Sequence, residues 1–434
     1  MPNQFSLLQE RRFRPFFFSQ LLGAFNDNVF KTVLISLVVF HGSELSSMDS
    51  GTVATLLPAL FILPFLLFSA TAGQIADKFE KSRLIRRIKL FEIGIMLVAS
   101  LGFYWHSLGL LTGALFLLGL HSSLFGPVKY AYLPQHLTKD ELIGGNGLVE
   151  MATFLAILLG QILGAALAVQ AQYALLASLV TLSLALSGYW VSRNIPYSAA
   201  AAPDLTIHWQ PLRATWQNLT FARQDKKIGL ALLAISWFWF YGATLLAQFP
   251  SFAKHTLDGD ESVFILLLAV FSSGVGLGSL LCEKLSKRKL EPSLTVLGAL
   301  GLSLFGLDLY FASSGLPAMT ALQNYTQFTA SLENLRLLLD IALIGVFGGF
   351  YIVPLYAYIQ SHAEESHRAR IIASNNILNA LFMIASGIAS IALFKLGFTI
   401  PQLFLATALA HTWLMLVLCL YQAKYWTRFS HWIK

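Results

Sequence analysis

Charge is what this sequence has least of. Only 12% of its 434 residues are Asp, Glu, Lys or Arg, about half the share of an ordinary soluble domain. That scarcity excludes a chain whose whole surface meets water. Cysteine is nearly missing as well. Cys282 and Cys419 stand far apart in apolar runs, which excludes a disulfide framework or a thiolate metal site. The alternation of apolar and polar residues that marks a transmembrane β-strand is missing too, because the apolar runs are continuous. Those runs hold no Ser/His/Asp set and no cluster of metal ligands, so neither an enzyme nor a cofactor or metal protein is expected. What remains is 56% hydrophobic residue, gathered in stretches of roughly 20, the length that crosses a bilayer.

The fold class expected is therefore an all-α membrane protein. Twelve spans are predicted at 14–40, 52–76, 84–106, 109–134, 142–169 and 173–193, then 228–253, 261–284, 291–313, 335–360, 371–395 and 398–422. All but five of the 29 Lys and Arg residues fall on one side of these spans. The five are Lys31, Lys129, Lys254, Arg336 and Lys395. By the positive-inside rule both termini are cytoplasmic. Basic residues placed this way give an orientation signal and no nucleic-acid-binding stripe.

The polar stretch 194–227 divides the chain into six-helix halves, 1–193 and 228–434. Its part from Trp209 to Phe221 mixes aromatic and basic residues, and fits an interfacial helix or a plain linker equally. The halves resemble each other. Gly73 and Arg83 match Gly278 and Arg288 at one offset, while Gly119 and Tyr130-Ala131-Tyr132 match Gly345 and Tyr356-Ala357-Tyr358 at a larger one. The long outer loop 313–334 accounts for the difference. A duplicated six-helix unit with parallel repeats is how major facilitator halves are built.

The loop after the second span resembles the loop signature of the major facilitator superfamily, through Gly73, Asp77, Lys78, Lys81 and Arg83. A helix-end carboxylate followed by basic residues there can clasp the other half in one state and release it in another. These five are the expected gating residues. Within the membrane, ionisable side chains are costly and face a partner or a wet cavity. Asp27 and Lys31 share a helix face at spacing four in the first span. Lys129 and Tyr130 follow Gly126-Pro127 in the fourth, where the dipeptide should loosen the helix. Asn146 and Glu150 share a face of the fifth. These six are the candidate substrate-binding residues. The second half offers aromatics instead, with Trp237-Phe238-Trp239-Phe240-Tyr241 in the seventh span, read as packing or as an acyl-chain surface. Arg336 and Asp340, four apart near the outer surface, are expected to pair.

Leu22-Gly-Ala-Phe-Asn-Asp-Asn28, Gly73-Gln-Ile-Ala-Asp77, Phe125-Gly-Pro-Val-Lys-Tyr130 and Gly145-Asn-Gly-Leu-Val-Glu150 together resemble the bacterial lysophospholipid transporter family. Gly348-Gly349-Phe350 and Val353-Pro354-Leu355 extend the likeness into the second half. The resemblance implies a flippase of the bacterial inner membrane that moves lysophospholipids from the outer to the inner leaflet by alternating access. Lysophosphatidylethanolamine or lysophosphatidylglycerol would be the substrate, membrane lipids the surroundings and a cytoplasmic acyltransferase a partner. It also implies functional roles for Asp27, Lys129 and Glu150. The seventh span departs from the family, with Leu245-Leu246-Ala247-Gln248 where relatives place an arginine. An exporter or importer of another amphipathic or anionic solute, such as a siderophore or drug, is the competing reading. A membrane lipid enzyme fits less well, since His136 to Asp140 falls one residue short of the acyltransferase spacing.

Overall fold

A computed structural model of the chain describes residues 3–45, 50–170, 172–290, 292–314, 316 and 321–421. Among the described residues the fold is all helix, with one isolated bridge between Gly259 and Gln323. Six long helices come first, α1 (Arg14–Leu45), α2 (Ser50–Lys78), α3 (Lys81–Tyr104), α4 (Leu108–His136), α5 (Leu142–Ala168) and α6 (Tyr173–Ser192). A short helix α7 (Pro211–Gln224) precedes α8 (Lys226–His255), α9 (Glu261–Leu285) and α10 (Pro292–Ser314). The single turn α11 (Tyr325–Phe328) then leads to α12 (Leu332–His362), α13 (Arg368–Lys395) and α14 (Ile400–Tyr421).

Eleven of these helices are long and apolar enough to cross a membrane. The exception among the long ones is α3, whose interior carries Lys89 and Glu92. Large apolar side chains point outwards along the helices, among them Leu90, Leu97, Leu304 and Leu416. Such exposure suits a hydrocarbon solvent.

The chain packs as two compact units. The first comprises Met1–Lys139, Ala156–Leu233 and Ile359–Leu381, and the second Asp140–Leu155, Ala234–Tyr358 and Phe382–Lys434. In lipid, apolar burial between helices gains little, so close packing and small residues must hold them together. The first unit shows this at Gly119 of α4, where a Cβ would strike the Phe61 carbonyl of α2. Phe30, Leu34 and Leu37 of α1 pack with Ile95, Met96 and Phe103 of α3 and with Leu115 and Leu118 of α4. In the second unit Gly274 and Gly278 of α9 abut the Ala342 and Val346 carbonyls of α12. Gly345 and Gly349 return the contact from α12, against Phe271 and Ser279. The matched glycines Gly119 and Gly345 thus each admit a neighbouring carbonyl, each inside its own unit.

Side-chain caps fix the starts of α9 and α11. Asp260 caps α9 by accepting from Ser262 N at 2.8 Å, and Asn324 and Gln327 form a capping box around α11. Arg336 does not take Asp340 as its ion-pair partner. It reaches across to Asp308 of α10 instead, because the guanidinium reaches a facing helix as readily as its own next turn. Gly126-Pro127 does not interrupt α4 either, which continues to His136. Gly126 instead lets the Asn376 amide of α13 come close.

Candidate functional site

The end of α2 meets the start of α13. Gly73 lies against Arg370 and Ala373, where a Cβ would come within 2.9 Å of the Arg370 Cα. One turn later Asp77, fully buried, accepts from Ala369 N at 3.1 Å and from Arg370 N at 3.3 Å. Both amides belong to the first turn of α13, where no intrahelical acceptor exists. The Arg370 Nε adds a charge-assisted bond at 3.1 Å. A carboxylate therefore caps a helix distant in sequence and neutralises a guanidinium at once.

The basic residues after Asp77 divide their work. Lys78 is half-buried at the end of α2. Lys81 is buried, and its Nζ donates to Ala199 O at 3.3 Å, so it holds the inter-half segment. Arg83 points outwards and stands 3.9 Å from Glu80. Glu80 itself caps α3 through Ser82 N and Arg83 N and also accepts from Ser198 N at 2.8 Å. Burial pushes its carboxyl up, but these donors outweigh burial and hold it below the usual carboxylate range. Sequence reasoning named Asp77 but missed Arg370, which reads there as ordinary cytoplasmic charge.

Deeper in the first unit lies a polar cluster. The Asp27 carboxylate is buried and its Oδ2 accepts from Ser122 Oγ at 2.6 Å. Its neighbour Asn26 donates to Glu92 Oε1 at 2.8 Å. Lys89 pairs with Glu92 at 2.8 Å, with both side chains 1% exposed. His121 Nε2 stands 3.4 Å from the same carboxylate. Lys89 reaches Glu92 through a slot made by Gly23, where a Cβ would collide with its Nζ. Lys31 stacks on the Phe61 ring at 4.6 Å, and Lys129 lies over Tyr130 at 4.8 Å.

Of the predicted binding residues, Asp27, Lys31, Lys129 and Tyr130 belong to the first unit. Asn146 and Glu150 are buried in the second. There the Asn146 amide bonds back to Leu142 O at 2.8 Å, and Phe154 meets Phe271 of α9 edge-on at 6.2 Å. Sequence reasoning missed Asn26, Lys89, Glu92, His121 and Ser122. The three-residue spacing of Lys89 and Glu92 was the available signal.

The aromatic run of α8 is organised by a histidine that the sequence does not advertise. Trp237 Nε1 donates to His411 Nδ1 at 2.9 Å, and His411 Nε2 donates to Ala299 O at 3.1 Å. Both ring nitrogens are thereby used, which fixes a neutral tautomer. Trp237 stacks on Phe240 at 4.9 Å, and Trp239 Nε1 donates to the Tyr356 hydroxyl at 3.4 Å. The second unit thus carries an ordered aromatic run, while the Lys89–Glu92 pair and Asp27 lie in the first.

This arrangement has relatives. Residues 16–387 match the model of the Major Facilitator Superfamily. The lysophospholipid transporter LplT of Escherichia fergusonii is 30% identical over 386 residues, covering 86% of this chain and 87% of that protein. Its counterpart from Citrobacter koseri is 28% identical over 387 residues, with 86% of each chain covered. Among solved structures, the human organic anion transporter MFSD10 superposes with a TM-score of 0.74 at 14% identity, covering 96% of this chain and all of that one. The proton:xylose symporter XylE gives 0.69 at 13% identity, with 93% and 94% covered. The last two show the fold. With a glycine-and-carboxylate clasp, embedded charges and these relatives, the chain is a multi-pass secondary transporter of the lysophospholipid transporter family within the major facilitator superfamily.

Proposed function

We propose that this transporter moves lysophospholipids from the outer to the inner leaflet of the bacterial inner membrane by alternating access. The observation that carries the reading is that the chain holds two kinds of chemistry, buried ionisable side chains and an aromatic run in α8. Asp27, Lys31 and Lys129 offer a carboxylate and two ammoniums inside the membrane, while Trp237, Trp239 and Phe240 offer aromatic surface. A lysophospholipid has one zwitterionic or anionic head and one acyl chain, and needs both. Ammoniums suit the phosphate, and carboxylates suit an ethanolamine. Lysophosphatidylethanolamine and lysophosphatidylglycerol are the substrates this chemistry fits.

Asp27, Lys31, Lys129, Tyr130, Asn146 and Glu150 read the head group in this proposal. The halves 1–193 and 228–434, joined by 194–227, rock about the substrate, and Asp77 locks one state. Both termini face the cytoplasm, where an acyltransferase re-acylates the delivered lipid.

Uptake of lysophosphatidylethanolamine into spheroplasts carrying this chain tests the reading, with a siderophore as the competing solute. Asp27→Asn, Lys129→Ala and Glu150→Gln should each lower lysolipid uptake at near-normal expression. Full activity in all three variants would remove the head-group role, and siderophore uptake in place of lysolipid would remove the substrate.

A further inference from the structure

Helix α7 is used by neither the clasp nor the embedded charges. Pro211 starts it, with φ pre-set for a first helical turn. Its buried face is Ala214 and Asn218, one turn apart. Ala214 packs with Ala70 of α2 and Ile377 of α13, and Asn218 Nδ2 donates to Ala70 O at 3.3 Å. Just ahead, His208 N donates to Gln74 Oε1 at 2.7 Å. Ala70 and Gln74 precede the end of α2 by eight and four residues, roughly 12 and 6 Å along the axis. The helix is therefore tied to the last turns of a membrane span, at its Lys-rich end.

Among the described residues of α7, the opposite face is exposed. Arg213, Trp216 and Thr220 follow one another at helical spacing and are exposed, Trp216 to 69% and the preceding Trp209 to 73%. From Leu205 to Gln224 the sequence holds no Asp or Glu, while Arg213 and Arg223 supply positive charge. A helix facing bulk water gains nothing by exposing indoles. Indole with guanidinium, and no carboxylate, matches the boundary between headgroups and acyl chains of an anionic leaflet.

We propose that the outer face of α7 binds the anionic phospholipid headgroups of the leaflet beside α2. Trp209 and Trp216 sit at the acyl boundary and Arg213 meets a lipid phosphate. The inner face is taken by α2 and α13, so the helix joins that lipid surface to the two helices Asp77 holds together. The proposal does not depend on which solute is carried.

The test uses the full chain with Cys282 and Cys419 replaced by alanine and Thr220→Cys carrying an environment-sensitive fluorophore. This position leaves both indoles and Arg213 in place. The protein is reconstituted in phosphatidylcholine vesicles with or without phosphatidylglycerol, and the probe is challenged with a lipid-borne spin label and with aqueous iodide. With phosphatidylglycerol the lipid quencher should dominate, and Arg213→Ala should lower the ratio of lipid to iodide quenching roughly fivefold. Folding of that variant is checked by its elution profile, since Arg213 lies on the exposed face. Equal iodide quenching in both vesicle types overturns the proposal. So does shielding that appears only at a high protein-to-lipid ratio, as contact with a second copy would produce.

Discussion

Asn26 and Asp27 are consecutive on α1 yet bond in opposite directions, the first to Glu92 of α3 and the second to Ser122 of α4. On α4, Ser122 bonds to Asp27 while the preceding His121 only stands near Glu92, its Nε2 3.4 Å from the carboxylate. The buried Glu92 therefore ties α1 to α3 right beside the Asp27 carboxylate, which α4 holds through Ser122.

That arrangement predicts how the cluster fails. Lys89→Met leaves a buried carboxylate without its ammonium, and Glu92→Met leaves the ammonium alone. Breaking such a pair from one side costs on the order of 3–5 kcal/mol, whereas replacing both members with apolar groups costs far less. Each single variant should melt early in detergent, and the double variant Lys89→Met/Glu92→Met should recover most of the loss. A double variant as weak as the sum of the singles would show that the pair is not the unit of stability.

At the clasp, Asp77→Asn keeps the shape and removes the charge from three donors. Bonds to a charged group contribute about 1.5–3 kcal/mol, so the state holding α2 to α13 should lose a large part of its population. Transport should fall while membrane insertion stays normal. Arg370→Ala should act in the same direction, and the two together should do little more than Asp77→Asn alone. Wild-type uptake rates in Asp77→Asn would exclude the locking role.

Glu80 gives the pH dependence outside the membrane. Its folded carboxyl titrates below the unfolded one because Ser198, Ser82 and Arg83 donate to it against the effect of burial. Its contribution to stability is therefore complete above the unfolded value of about 4.3 and is lost as pH falls through the lower folded value. Glu80→Gln should melt earlier than wild type at neutral pH, and the two should converge in acid. A constant gap in melting temperature across that range would contradict the assignment.

Orientation is tested by thiol labelling. Ala321→Cys, in the outer loop, should react with an impermeant reagent from outside the cell, and Lys226→Cys, at the start of α8, should not. The reverse pattern would invert the proposed topology.

Much of the fold is legible in the sequence because membrane spans announce themselves through length and continuity of apolar residues. Asp77 stands out in the sequence for a related reason, since a carboxylate among glycine and basic residues at a helix end needs a partner, and the structure supplies one in the start of α13. Arg370 does not stand out, because cytoplasmic charge hides a specific partner among many unspecific ones. Lys89 was absorbed into the same basic background of residues 78–89, and Glu92 has meaning only once α1 and α4 are seen beside it. Arg336 shows the limit of spacing rules. Asp340 is at the right interval, but Asp308 of α10 takes the pair. His411 is the plainest case, as nothing near it in sequence foretells Trp237 and Ala299.

Two of the three groups that donate to the Asp77 carboxylate are main-chain amides of Ala369 and Arg370. Every residue other than proline carries that amide, so α13 presents most of its half of the lock whatever its side chains become. The burden of the contact is one-sided. Position 369 can change its chemistry within the space available and still be recognised, whereas position 77 must keep a short acceptor. On α13 only the Arg370 guanidinium is open to loss by mutation, whereas at position 77 a single change removes the acceptor from all three donors at once.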